Sequence, residues 1–171
     1  MGQRPSASFD LSRFTTATKI LVGAGFLALV NSFISWWQRV SFCGGIKVPG
    51  VSCSISVNAL SGSGSWAGWL MFLGLIALIA WELAYAFGAL SNVGLPVPAA
   101  RISAYIAAWV LLFGVIKFLL ALNHVFIGDF VGLILLLAIA YGAYMRWQEP
   151  VSAAGPSPGT TPPSSGGGFT A

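Results

Sequence analysis

An all-α membrane protein is the fold class this sequence predicts: a four-transmembrane-helix bundle carrying a small, disulfide-tied outer β-hairpin loop. Three observations predict it. Four long apolar runs occur, at Ile20–Trp37, Trp66–Leu90, Ile102–Leu122 and Val125–Met145. Charged residues are only 7% of the chain and apolar residues 57%, against about 25% charged in soluble domains. Both cysteines, Cys43 and Cys53, fall in the one sizeable loop between runs. A helix rises about 1.5 Å per residue, so about twenty apolar residues cross a hydrocarbon core of about 30 Å. Each run is close to that length or above it.

The net charge of +4 does not mark a nucleic-acid binder, because no Lys/Arg cluster exists. The basic residues bear on topology instead, since cytoplasmic flanks carry the excess of Lys and Arg. With both termini inside, Arg4, Arg13, Lys19, Arg101 and Arg146 are cytoplasmic. Arg39 and Lys47 then lie outside, and Lys117 lies within a span. The expected address is therefore the cell membrane, multi-pass, with N and C termini cytoplasmic. The first run reads as a retained helix rather than a signal peptide. It exceeds the usual apolar core of about 7–15 residues, and no small-residue cleavage site follows it.

Residues 1–16 form a polar N-terminal segment. Thr15 or Thr16 suits the N-cap of the first span (17–37), where a hydroxyl accepts from an unpaired backbone N–H. That span ends in Trp36-Trp37, and the second (66–90) opens with Trp66 and Trp69. Indoles favour the membrane–water interface, so these four are expected as interface anchors. The outer loop (38–65) contains Val51–Asn58, which alternates apolar and polar residues with the period of a strand. Val40–Cys43 is its expected partner, with turn chemistry at Gly44-Gly45 and Pro49-Gly50. Ser61–Ser65 reads as a flexible connection into the second span. Pro96 and Pro98 in the cytoplasmic loop (91–100) stop helix continuation. The third span (101–122) turns tightly at Asn123-His124 into the fourth (125–145). The tail (146–171), rich in Pro, Gly, Ser and Thr, reads as disordered.

Few residues carry chemistry. Cys43 and Cys53 suit a disulfide in an oxidising exterior, where closing the loop is worth about 2–3 kcal/mol. Two free thiols are the alternative. Redox or metal chemistry fits poorly, because the spacing is not CxxC and no histidine accompanies the pair in sequence. Ionisable residues within a membrane are functional hypotheses by default. Here they are Glu82, Lys117 and Asp129. Lys117 and Asp129 lie equally far from Asn123 on the tight hairpin, so they are expected to contact each other or share a water. Glu82 lies about 24 Å along its helix from Trp66, toward the cytoplasmic side, where Arg101 is the expected cation. The favoured reading is structural, with Lys117 snorkelling or pairing and Glu82 at the headgroup boundary. The alternatives are a proton or ion relay through Glu82, or an ion-sensitive gate at Lys117, Asp129 and His124. Asn31, in mid span one, is expected to hydrogen-bond a neighbouring helix. Gly128 and Gly132 offer a face for close helix packing, as do Ala138-xxx-Gly142, Ala84-xxx-Gly88 and Ser103-xxx-Ala107. No phosphate-binding glycine loop, HExxH or GxSxG motif is present.

The stretch Phe9-Asp10-Leu11-Ser12-Arg13-Phe14-Thr15-Thr16-Ala17-Thr18-Lys19-Ile20, with the helix ending Phe33-Ile34-Ser35-Trp36-Trp37, resembles a group of uncharacterised actinobacterial four-span integral membrane proteins. That group tends to show Pro-Trp-Tyr or similar at the end of span one. Here Ser35-Trp36-Trp37 stands in its place. The resemblance covers about residues 9–145 and implies a fold and a membrane address, but no activity. The layout also looks like that of claudins, by analogy only: four spans, termini inside and two cysteines in the first outer loop. Its outer loops are shorter, and no Gly-Leu-Trp precedes Cys43.

The resulting expectation is a non-enzymatic membrane protein, an interaction or assembly subunit of the cell envelope, with no cofactor and no metal. Its partners are the lipid bilayer and a membrane protein or a second copy, not nucleic acid. The alternative is a small transporter or channel component, with a path lined by Glu82, Asn31, Asn123 and Lys117.

Overall fold

A computed structural model describes residues 14–41, 54–90 and 95–149. Its helices are α1 (Thr16–Phe33), α2 (Ser65–Ala86), α3 (Ala99–Ala121) and α4 (Ile127–Gln148), each long and apolar enough to cross a membrane. A 3-10 turn, Leu122–His124, joins α3 to α4. Strands β1 (Gln38–Ser41) and β2 (Ser54–Val57) pair antiparallel, with Gln38 opposite Val57 and Ser41 opposite Ser54. Cys43, Cys53 and the turn residues between the strands lie outside the described residues, as do 1–13, 91–94 and 150–171.

The helices pack as a closed ring in chain order. Each contacts the helix before and after it, and α4 returns to α1. Thus α1 faces α3, and α2 faces α4, across the bundle. One stripe of each helix turns inward. In α1 it is Ala17, Leu21, Ala24 and Ala28, the spacing of three and four that keeps residues on one helical face. Leu75, Leu78, Val110 and Ile139 fill the centre and are wholly buried. The outward faces are as apolar as the inward ones: Phe26, Leu73, Leu112, Ile134 and Leu137 are all exposed. Such a surface suits hydrocarbon rather than water.

Helix ends depart from the expected spans for local reasons. Thr15 caps α1, its Oγ accepting from the N–H of Thr18 at 3.2 Å. α1 stops at Phe33 rather than Trp37, because Ile34 is extended (φ −73°, ψ 130°) and the chain turns there into β1. Asn31 therefore sits in the last turn of α1, not in mid span. α2 stops at Ala86 rather than Leu90. Gly88 takes a left-handed φ of 71°, and the N–H groups of Gly88 and Ala89 return to the carbonyls of Tyr85 and Ala84. This is a glycine-based C-terminal cap. α4 runs to Gln148, so Arg146 belongs to the bundle and not to the tail.

The hairpin closes over one end of the ring. Trp37 donates its backbone N–H to Val57 O (3.1 Å) and accepts from Phe126 N–H (3.2 Å). Gln38 also bridges to Val125, so the α3–α4 turn is stitched to β1. The segment Ser61–Ser65 is held rather than free. Gly62 and Gly64 adopt left-handed φ values, and the N–H of Ser65 donates to Gly62 O.

Candidate functional site

Buried polar side chains gather at the two ends of the bundle, with the apolar centre between them. At the hairpin end, Lys117 is fully buried. Its Nζ donates to Ser61 O (3.0 Å) and Ser63 O (2.7 Å). Gln38, also fully buried, makes a reciprocal pair with Ser63. Its Nε2 donates to Ser63 O and its Oε1 accepts from Ser63 N–H, both at 3.0 Å. One backbone carbonyl thus receives an ammonium and an amide. The lysine on α3 and the first residue of β1 grip the same loop.

Asn31 organises the neighbouring corner. Its Nδ2 donates to Gly128 O on α4 (3.3 Å), and its Oδ1 accepts from Trp36 Nε1–H (2.8 Å). Its own carbonyl accepts from Trp37 Nε1–H at 2.7 Å. Both indoles point into the bundle because Gly128 and Gly132 leave room. A Cβ on Gly128 would stand 2.3 Å from the Trp36 ring, and one on Gly132 would stand 2.7 Å from Trp37. This corrects the expectation of four interface anchors. Trp37 is 2% exposed and Trp36 half-buried, whereas Trp66 and Trp69 face outward at 55% and 50%.

Lys117 and Asp129 share this end and attract each other through space. No ion pair within 4 Å joins them; the ion pairs among the described residues are those of Arg146. Each has a nearer task. The Lys117 ammonium reaches the loop carbonyls. Asp129 Oδ2 accepts from the N–H of Phe126 (3.2 Å), holding the start of α4, where a carboxylate also meets the positive end of the helix dipole. Asp129 Oδ1 is buried without a hydrogen-bond partner among the described residues. Asn123 and His124 are exposed.

At the opposite end Glu82 is fully buried, and its cation is not Arg101. Arg146 of α4 lies across the bundle with Nη2 at 3.6 Å from Glu82 Oε2, both side chains fully buried. Arg101 stands outside, over the ring of Trp147. Sequence proximity had suggested Arg101, but the ring order of helices aims Glu82 of α2 at α4. The Arg146 guanidinium also pairs with Glu149 through Nη1, reaches Thr15 Oγ at 3.4 Å and lies 4.3 Å over the Tyr85 ring. The 3.6 Å separation is long for a hydrogen bond. Both Glu82 oxygens and Arg146 Nε and Nη2 have no hydrogen-bond partner among the described residues.

Sequence reasoning missed Arg146 as an interior residue, and Gln38 and Trp37 as core polar groups. The usable signal for the tryptophans was Gly128-xxx-Gly132, a face open enough to receive rings. For Arg146 the signal was Glu82, which needed a cation at the same end. Among the described residues, no group of three or more His, Cys, Asp or Glu could hold a metal.

Fold and site together define a multi-pass helical membrane protein whose buried polar residues join its parts to one another. Comparison of the chain with protein-family models, curated proteins and solved structures gave no match.

Proposed function

We propose that this chain is a non-enzymatic subunit of the cell envelope, resident in the cell membrane with both termini cytoplasmic, where it serves interaction or assembly. The observation that carries this reading is the separation of its polar groups. Lys117, Gln38 and Asn31 bind loop and backbone at one end, and Glu82 and Arg146 engage each other at the other. Leu75, Leu78, Val110 and Ile139 occupy the interior between them. A polar line from Asn31 to Glu82 is interrupted by that layer. What remains for function is the surface: an outward hairpin held rigidly on the bundle, and apolar flanks.

A Cys43–Cys53 disulfide belongs to the same proposal. It is supported by the described ladder, which ends at Ser41 opposite Ser54, two residues before Cys43 and one residue after Cys53 in the sequence. The rival reading, a small transporter or channel component, draws on Glu82, whose buried oxygens have no hydrogen-bond partner among the described residues.

Purification from native membranes in mild detergent separates these readings. A partner in defined stoichiometry supports the subunit reading. A chain that purifies alone and moves ions or solutes in liposomes overturns it. Orientation is tested by Ser157→Cys: labelling of intact cells with an impermeant maleimide is expected to leave it unmodified.

A further inference from the structure

We propose that the flank formed by α2, α3 and the end of α4 binds one anionic phospholipid, with its phosphate at Arg101 and an acyl chain in the groove between α2 and α3. The groove encloses about 410 Å³ and is lined by Leu73, Gly74, Ala77, Tyr105, Ile106 and Trp109. Ala77 is exposed on its floor, and Gly74 lets the Trp109 ring lie close against α2, where a Cβ would stand 2.8 Å from it. The Trp109 indole is held in place, donating its Nε1–H to Leu70 O at 3.2 Å, so one wall is a fixed ring rather than a mobile chain.

The groove runs into a polar head. Tyr105 lines it and also meets Trp147 edge-on, with centroids 6.4 Å apart. The Arg101 guanidinium lies 5.8 Å above the same Trp147 ring. Arg101, Tyr105 and Trp109 are four residues apart, so they share one face of α3. That face runs from cation through phenol to indole over about 12 Å. This is the order of a phospholipid from phosphate to acyl chain.

Charge complementarity selects the headgroup. Arg101 is exposed and has no carboxylate within ion-pairing distance among the described residues; the ion pairs present belong to Arg146. A guanidinium binds a phosphate through paired donors, and a headgroup with net negative charge leaves that attraction unopposed. The surrounding solvent supplies the occupant, since hydrocarbon fills an apolar groove that faces the bilayer. The site lies apart from the hairpin end and does not depend on the assembly role proposed above.

The test uses the full chain reconstituted in phosphatidylcholine bilayers that contain acyl-brominated phosphatidylglycerol or acyl-brominated phosphatidylcholine. The contribution of Trp109 is the difference in fluorescence between the protein and its Trp109→Phe variant. Its quenching is expected at about five-fold lower mole fraction of the brominated anionic lipid than of the zwitterionic one, the effect of one basic side chain at a membrane surface. Arg101→Gln should abolish that preference and Arg101→Lys should keep most of it. Ala77→Phe should weaken quenching by both lipids. Equal quenching by the two lipids, an undiminished preference in Arg101→Gln, or full quenching in Ala77→Phe would each overturn the proposal. So would a groove closed to both lipids by a second copy of the chain, seen as a cross-linked dimer.

Discussion

The two ends of the bundle bury charge in different ways. At the hairpin end, the Lys117 ammonium is bound directly by neutral groups, with Ser61 O and Ser63 O within 3.0 Å and the Asp129 carboxylate beyond ion-pairing distance. Nearby Gln38 fills its amide with a second pair of hydrogen bonds. At the opposite end, charge is compensated by charge, with Glu82 and Arg146 3.6 Å apart and most of their remaining polar atoms unpartnered among the described residues. The first arrangement ties a loop to a helix and depends on direction. The second ties α2 to α4 across the bundle and depends mainly on distance. Removing one member therefore does different things. At the hairpin end it frees a loop and leaves carbonyls that can turn to interfacial water. At the opposite end, removing Arg146 strands the Glu82 carboxylate in an apolar interior, whereas Arg146 without Glu82 would keep Glu149.

The largest expected effect follows from that contrast. Arg146→Leu should destabilise the protein in detergent by about 3–5 kcal/mol, the usual consequence of leaving one member of a buried pair uncompensated. The Glu82→Leu, Arg146→Leu double variant should recover a large part of that loss, because two apolar side chains of similar size serve the interior as well as a pair with few hydrogen bonds. Thermal melts of the four proteins form a double-mutant cycle. Additive losses would show that Glu82 and Arg146 are not coupled and would remove the basis for distinguishing the two ends.

Lys117 comes next. Lys117→Met should cost about 1–3 kcal/mol, the range for leaving buried acceptors unsatisfied. Its signature should be local, with faster maleimide labelling of Ser61→Cys and little change at Thr18→Cys on the far end of the bundle. Coupling between Lys117 and Asp129 should be below about 1 kcal/mol in a Leu-substitution cycle, because each holds a nearer partner than the other. A larger coupling would restore the direct pair that the hairpin symmetry suggests.

The spans were legible in the sequence because length and hydropathy alone decide them. Val51–Asn58 was legible as strand from its alternation, although only Ser54–Val57 of it pairs among the described residues. Helix rotation was much less legible. When both faces of a helix are apolar, as with buried Leu78 and exposed Leu73 on α2, hydrophobic contrast no longer says which face turns inward. Polar and small residues carry that information instead. Glu82 read from sequence as a headgroup-boundary residue near Arg101, and its burial against Arg146 follows from the ring order, which the sequence does not display. Trp36 and Trp37 misled for a related reason. A tryptophan at the end of a span usually marks the interface, and only the opposing Gly128 and Gly132 turn these two rings inward.

The smallest effects compare glycine contacts at the two ends. Gly128→Ala would place a Cβ 2.8 Å from the backbone oxygen of Trp36, besides 2.3 Å from its ring. A rotamer change can move the ring, but the carbonyl is fixed by accepting from the N–H of Gly128. Overpacking of this kind costs about 1–3 kcal/mol. Gly142→Ala, toward the other end, meets Leu21 and Ile20 side-chain atoms at 3.0–3.1 Å, and such branched ends can yield by a few tenths of an ångström. It should cost less than Gly128→Ala. Gly23→Ala meets nothing within 4 Å and sits within α1, where alanine is favoured over glycine by about 1 kcal/mol, so it should be neutral or slightly stabilising. Melting temperatures of the three variants should rank Gly23→Ala highest and Gly128→Ala lowest. If Gly142→Ala proves the most damaging, the tighter packing belongs to the Glu82–Arg146 end, and the hairpin end is not the rigid one.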